Sequence, residues 1–287
     1  MNERLDVKKT LKLYINGAFV RSESGRSYET LDANNDFYAN AALASRKDLR
    51  DAVKAARDAQ TAWQNLTAYN RGQILYRLAE LCETRRHQLE DELIVVEGLT
   101  PSVAKSTINL AIDRLVWFAG WTDKVSSVFG GHNQVAAPYF NFSVVEPTGV
   151  IGVVVHPENS TLALISQVAP ALATGNTCVV VAPYKNPVSA ITFAEIAATS
   201  DVPAGVLNIL TGDYREIGTW ISEHLDVDGL DLTGVLEPDL ATTYAQASSM
   251  NVKRVLTSKN SDFQLPHNSY RLTYWTETKT VWHPIGS

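Results

Sequence analysis

The chain has 287 residues, 45% of them hydrophobic, and its 25 Lys and Arg against 31 Asp and Glu give a formal net charge of −6. This length allows one large or two small domains, and the mild acidity does not favour a nucleic-acid partner. No apolar run approaches the roughly 18 residues of a membrane span, residues 1–10 lack a signal-peptide core, and the two cysteines fit a reducing compartment. We therefore expect a cytoplasmic protein without nucleic-acid or membrane partners.

The N-terminal half predicts a hairpin followed by a helical layer. Residues Leu11–Val20 alternate around Asn16-Gly17, a strong hairpin signal, and residues 22–36 are predicted as polar loop. Ser45 is predicted to cap a helix with Asp48 in its first turn. Two further helices are predicted, one through residues 74–81 and one from Pro101 past Trp117.

The middle of the chain predicts a covered parallel sheet. Three β-branched apolar runs, bounded by Gly and Pro, alternate with two helix-length segments; the runs are Val150–Val155, Thr177–Val181 and Val206–Leu210. Continuous apolar strands of this kind are typical of a parallel sheet covered on both faces. Shorter strands are predicted at Val227–Leu232 and Val252–Leu256.

Two segments outside this sheet are predicted to be extended. Val135–Ala137 and Tyr139–Val145 predict a two-stranded ribbon with its turn near Pro138. At the other end, Tyr270–Trp282 alternates like a final strand.

Many weak motifs in one order resemble the NAD(P)-dependent aldehyde dehydrogenases. The family's N-terminal hairpin is resembled by YINGAFV. Its first two helices are resembled by DLRDAVKAARDAQTAW and RGQILYRLAELCETRR. The family's coenzyme domain is resembled by three segments, EPTGVIGVV, VAPALATGNTCVV and DVPAGVLNILTG. The segment DVDGLDLTG resembles the strand that enters the family's phosphate-binding turn, and YWTETKTV resembles its oligomerisation tail. The resemblance implies an α/β fold with a Rossmann-like, doubly wound parallel sheet, an oligomerisation hairpin and a C-terminal strand.

The resemblance also implies a domain division. Residues 1–132 and 147–268 would form the coenzyme-binding-like domain, and residues 133–146 and 269–287 the oligomerisation arms. The family's glutamate base lies in a strand of type VTLELGG, where this chain has VKRVLTSKN with Ser258 at the glutamate position. The segment with the nucleophilic cysteine should follow, but about a dozen loop residues lead into the tail. We therefore expect the catalytic domain to be absent.

The family's coenzyme contacts are altered at four positions. Where the family has the sequence KPAE, this chain has APYK, so Ala182 replaces the lysine and Lys185 replaces the glutamate. After Gly234, Val235 replaces a serine that meets the pyrophosphate, so an anion site loses a hydroxyl donor. Tyr214 replaces a glycine beside the adenine. The expected cofactor set is none, with weak NAD(P) binding left open.

Three side chains are candidate remnants of a catalytic site. Asn159 matches the asparagine that donates to the oxyanion in the family, although we favour a helix-capping role for it. Cys178, inside TCVVV, and Cys82, beside Glu83, lie in settings that disfavour a thiolate. The six histidines lack metal-ligand spacing, so no metal site is expected.

The sequence therefore predicts a non-catalytic, aldehyde-dehydrogenase-like subunit with a structural or regulatory role in an oligomer. The chain resembles the shortened, non-catalytic second module of two-module aldehyde dehydrogenases. The predicted partner, held through residues 133–146 and 269–287, is a full-length aldehyde dehydrogenase subunit or a second copy of this chain. The alternatives are an NAD(P)-binding sensor and an oxidoreductase or hydrolase with relocated chemistry.

Overall fold

A computed structural model describes residues 7–257, 262–266 and 268–286. The described strands are β1 Thr10–Leu11, β2 Leu13–Ile15, β3 Ala18–Val20, β4 Ser27–Leu31, β5 Phe37–Ala42, β6 Gly131–Asn133, β7 Tyr139–Pro147, β8 Val150–Val154, β9 Thr177–Val181, β10 Leu207–Leu210, β11 Gly229–Asp231, β12 Arg254–Leu256 and β13 Thr276–Pro284. The described helices are α1 Arg46–Asn65, α2 Ala68–Thr84, α3 Arg86–Glu97, α4 Pro101–Trp121, α5 Val125–Phe129, α6 Ser160–Ala173, α7 Val188–Ala197, α8 Tyr214–Glu223, α9 Pro238–Ala247 and α10 Tyr270–Tyr274.

The core is a seven-stranded sheet in the order β12-β11-β8-β9-β10-β2-β3. The first five strands are parallel, and the hairpin β2–β3 joins them antiparallel through Ile209 opposite Tyr14. Every residue of β8, β9 and β10 is buried. The predicted apolar strands and the Asn16-Gly17 hairpin are therefore confirmed.

Helices cover both faces of this sheet. On one face, β8 and β9 side chains such as Ile151 and Cys178 pack with α4, α6 and α7. On the other face, neighbouring side chains such as Val150 and Val179 pack with α1, α8 and α9. Because successive residues of a strand point to opposite faces, continuous apolar runs are required here. The fold is the predicted doubly wound α/β sheet.

The start of α1 follows its sequence signals. Ser45 accepts the Asp48 backbone N–H, and the Asp48 side chain accepts the Ser45 backbone N–H at 2.8 Å. This reciprocal pair is a capping box.

Two sequence assignments in the N-terminal half were wrong. The segment predicted as polar loop contains β4 and leads into β5, which form a small sheet with β1. Its polar composition hid the strands because that sheet lies at the surface and most β4 side chains are exposed. A further helix, α3, was missed between α2 and α4, because it follows α2 with no Gly or Pro between them.

The predicted ribbon has a different first strand. β6 at Gly131–Asn133 pairs with β7, whereas the apolar residues Val135–Ala137 lie in the connecting loop. Polar side chains set this register, since the Asn133 amide donates to the Asn141 side chain at 2.6 Å and to the Ser143 hydroxyl at 2.9 Å. β13 pairs antiparallel with the other edge of β7 over nine residue pairs.

The predicted final strand begins with a helix instead. Residues Tyr270–Tyr274 form α10, and only Thr276–Pro284 are extended. Leu272 and Trp275 are both fully buried. Their spacing of three places both on one side of a helical turn, whereas a strand would point them to opposite faces.

Candidate functional site: an altered coenzyme groove

The candidate site lies at the carboxyl ends of the parallel strands. In open α/β sheets, ligands bind in the crevice outside these ends. The segments that leave β8, β9, β10 and β11 here carry the residues singled out from the sequence: Asn159, Ala182 with Lys185, Tyr214, and Gly234 with Val235. Ser258 lies outside the described residues.

Asn159 stands at the N-terminus of α6 but does not cap it with its side chain. Its backbone is left-handed, with φ and ψ both 50°, and no side-chain cap hydrogen bond forms. The capping prediction was therefore wrong. The helix end is satisfied from elsewhere, because the Glu97 carboxylate accepts the Ser160 N–H at 3.0 Å and the Ser160 hydroxyl.

Glu97 comes from the end of α3 and joins three segments. Its Oε1 also accepts the Asn186 amide at 2.6 Å. Burial raises the pKa of this carboxyl, while hydrogen bonds from Ser160, Asn159 and Asn186 oppose the rise. Sequence reasoning missed Glu97, since a carboxylate that caps another helix across 63 positions leaves no local pattern.

Neither cysteine supplies a nucleophile at this site. Cys82 and Cys178 are both fully buried. Burial raises the pKa of the Cys82 thiol to about 12 and raises the pKa of the Cys178 thiol. Both thiols stay protonated at neutral pH, as predicted, because an apolar surrounding disfavours the thiolate.

At the end of β9, the charge pattern of a ribose site is missing. Ala182 is buried and has no polar side chain, while Lys185 is exposed. Tyr184, between them in sequence, stacks on Tyr28 with ring centroids 4.5 Å apart. Ala182 therefore offers no side-chain hydrogen bond to a sugar, and an aromatic contact holds the segment that follows β9.

A hydrogen-bonded cluster bridges the N-termini of α8 and α9. The Tyr214 hydroxyl donates to Glu237 Oε2 at 2.6 Å, and Arg215 donates to Glu237 Oε1 at 2.7 Å. The Arg215 guanidinium also lies 5.2 Å from the Tyr214 ring centroid. Burial and the Glu237 carboxylate raise the pKa of Tyr214 to about 12.

The turn after β11 is closed by its own backbone. A Cβ on Gly234 would lie 2.3 Å from the Val155 carbonyl oxygen, so this position requires glycine. The Gly234 N–H donates to the Val154 carbonyl at 3.1 Å and the Val235 N–H to the Leu232 carbonyl at 2.9 Å. These two donors are therefore engaged within the protein, and Val235 adds none.

The N-terminus of α9 also carries negative charge. Glu237 is its N-cap residue and Asp239 lies in its first turn. Carboxylates already complement the positive end of the helix dipole, and they repel a phosphate. The residues present therefore fit a dinucleotide poorly, because Val235 supplies no hydroxyl donor and Glu237 and Asp239 add negative charge near this helix end.

Within residues 7–257, 262–266 and 268–286, no group of three or more His, Cys, Asp or Glu side chains has a metal-binding arrangement. No helix in the same ranges combines the length and apolar character needed to span a bilayer.

The fold and the groove together define a Rossmann-like α/β protein with altered coenzyme contacts. The family model described as "Aldehyde dehydrogenase family" matches residues 19–259. The chain therefore belongs to the aldehyde dehydrogenase family.

Two curated relatives and one solved structure illustrate the match. Cytosolic 10-formyltetrahydrofolate dehydrogenase of Pongo abelii is 34% identical over 263 residues, which cover 86% of this chain and 28% of that protein. The putative aldehyde dehydrogenase DhaS of Bacillus subtilis is 32% identical over 265 residues, 90% of this chain and 52% of the relative. An NAD+ complex of the Bacillus cereus aldehyde dehydrogenase has a TM-score of 0.79 at 28% identity, over 86% of this chain and 50% of that one.

The chain spans about half or less of the lengths of these relatives. The family match ends at residue 259, just after β12. Only residues 257–269 separate β12 from α10. The strand that follows α10 is β13, which pairs with β7.

Proposed function

We propose that this chain is a non-catalytic, aldehyde-dehydrogenase-like subunit that assembles with a full-length aldehyde dehydrogenase. It would hold that enzyme in its oligomeric state, and the partner would carry out the oxidation of the aldehyde. The short connection from β12 to α10 supports the absence of a catalytic domain. The buried, protonated thiols of Cys82 and Cys178 support the absence of cysteine-based covalent catalysis, which requires a thiolate.

The observation that carries the proposal is the exposed three-stranded sheet β13-β7-β6. Its far end presents large aromatic side chains to solvent, with Tyr139 39%, Phe140 45% and Trp282 57% exposed. Tyr139 and Trp282 form an edge-to-face pair with centroids 5.7 Å apart. An exposed cluster of this kind is typical of a protein–protein contact.

The same sheet also offers backbone hydrogen-bonding groups. Among the described strands, β6 and β13 each pair only with β7, so both outer edges are open. Open edges favour strand addition from another chain. We infer that the predicted arms, residues 133–146 and 269–287, form the partner surface. The cytosolic relative and the two unpaired thiols support a cytoplasmic location.

Native mass spectrometry of the full chain, alone and mixed with an aldehyde dehydrogenase from the same source, tests this assembly. We expect a mixed oligomer that Trp282→Glu dissociates, because a charge replaces an aromatic contact. The matched control is Tyr76→Glu, at a 48% exposed aromatic on α2, which should leave the oligomer intact. A chain that stays monomeric with and without the enzyme contradicts the proposal. A homo-oligomer that excludes the enzyme overturns the choice of partner.

A dinucleotide sensor is the competing function. It needs the same groove to bind NAD(P) without turnover. Glu237, Asp239 and Val235 oppose that function, because they place negative and apolar groups where a pyrophosphate would bind.

A further inference from the structure

A second cavity lies at the same carboxyl edge of the sheet, beyond the groove. Its volume is about 240 Å³, and it is a partly open cavity lined by residues of α4, α6, the end of β12 and the segment leading into α10. This volume is below the range of roughly 300–1,000 Å³ that holds drug-sized ligands. The cavity therefore suits a small molecule and not a dinucleotide.

Arg114 lines this cavity and has no carboxylate partner in direct contact among the described residues. The residue is only 4% exposed. Its guanidinium donates to two neutral acceptors, the Ser166 hydroxyl and the Leu265 carbonyl, while its Nε–H has no acceptor among the described residues. A buried charge without a counter-ion is costly, so the arrangement favours an anionic ligand.

The second arginine of the cavity is already neutralised. Arg271 pairs with the fully buried Asp231 and donates to the Thr233 hydroxyl at 3.0 Å. Burial and the nearby Arg271 charge both lower the pKa of Arg114. Of the two arginines that line the cavity, Arg271 therefore has a buried carboxylate partner and Arg114 has none among the described residues.

The remaining walls indicate what kind of anion fits. Phe118 and Leu256 are apolar and almost fully buried, which favours a short hydrocarbon chain. The exposed Asp262 carboxylate also lines the cavity and accepts the Gln264 N–H at 3.0 Å. A multiply charged anion would be repelled by Asp262, whereas a single carboxylate matches the planar fork of one arginine.

We propose that this cavity binds a small monocarboxylate, with its carboxylate on Arg114 and its alkyl chain against Phe118 and Leu256. The site goes beyond the proposed assembly role and does not depend on it. It would make the subunit responsive to short organic acids.

Calorimetry on the full chain tests the site with butyrate, its uncharged analogue butyramide, and inorganic phosphate. We expect saturable binding of butyrate and a loss of about tenfold or more for butyramide, because a charge-assisted hydrogen bond is lost. Absence of saturation by butyrate at about 10 mM, equal binding of butyramide, or tighter binding of phosphate overturns the proposal.

Variants locate the binding to Arg114. Arg114→Met should lower butyrate affinity about tenfold or more, and Arg114→Lys should retain part of it because the charge remains without the fork. Arg77→Met, at an exposed position on α2, is the matched control and should bind as the parent does. Asp262→Asn should tighten binding by removing a repelling charge. Unchanged affinity in both Arg114 variants contradicts the assignment, whatever the oligomeric state.

Discussion

Single side chains decide the chemistry of the candidate site more than its fold does. The strands present their carboxyl ends as in a coenzyme domain, yet Tyr214, Arg215 and Glu237 bond to one another between α8 and α9. Glu97 similarly takes over the end of α6 from the adjacent Asn159. In both clusters, polar side chains form hydrogen bonds with other groups of the protein.

Glu97 provides a prediction at this scale. Glu97→Ala should lower the free energy of unfolding by about 1–2 kcal/mol, because the cap of α6 is lost. Glu97→Gln keeps an acceptor oxygen and should cost less. Urea denaturation of the three proteins measures both effects, and equal loss in the Ala and Gln variants would contradict the capping role.

The same carboxyl gives a pH dependence with a defined sign. Burial raises its pKa in the folded state, so the folded protein binds the proton more tightly than the unfolded chain. Its contribution to stability is therefore fully present below the unfolded pKa and is lost as the pH rises through the folded pKa. In Glu97→Gln this fall in stability with rising pH should be absent.

At the scale of the elements, α10 attaches the β13 arm to the core. Trp275 ends α10, is fully buried, and lies against Gly229, where an added Cβ would approach its ring to 2.8 Å. The Asn176 amide donates to the Trp275 carbonyl at 2.9 Å. The arm therefore leaves the core from a fixed point.

Trp275→Ala should lower the free energy of unfolding by about 3–5 kcal/mol, because a large buried side chain leaves a cavity. Trp282→Ala, in the same arm but more than half exposed, is the control and should change stability by less than about 0.5 kcal/mol. Chemical denaturation of both variants measures the difference. Similar stabilities for the two variants would show that Trp275 does not anchor the arm.

At the scale of the whole molecule, the fold of a coenzyme domain is kept, while Val235 stands where the family resemblance implies a serine that meets the pyrophosphate. Titration calorimetry with NAD+ and NADP+ should give no saturable heat at about millimolar cofactor, because Glu237 and Asp239 repel the pyrophosphate. The Bacillus cereus aldehyde dehydrogenase, solved as an NAD+ complex, serves as the positive control. Saturable binding at micromolar cofactor would instead favour the sensor function.

The sequence by itself determined the central sheet. Helices cover both faces of β8, β9 and β10, so the side chains on both faces of these strands must be apolar, and the sequence shows this as continuous apolar runs. It also determined the Asn16-Gly17 turn and the Ser45 cap, whose signals lie within a few residues. The positions that depart from the family's coenzyme contacts were likewise visible, since each is a change of residue type in a matched motif.

Only the tertiary structure decided how polar groups meet across long separations. Glu97 caps a helix 63 positions away, and Asp231 pairs with Arg271 across 40 positions. Tyr270–Tyr274 became helical because burial of Leu272 and Trp275 outweighed the alternating pattern. Long-range pairing and burial are properties of the packed chain, and no local sequence period encodes them.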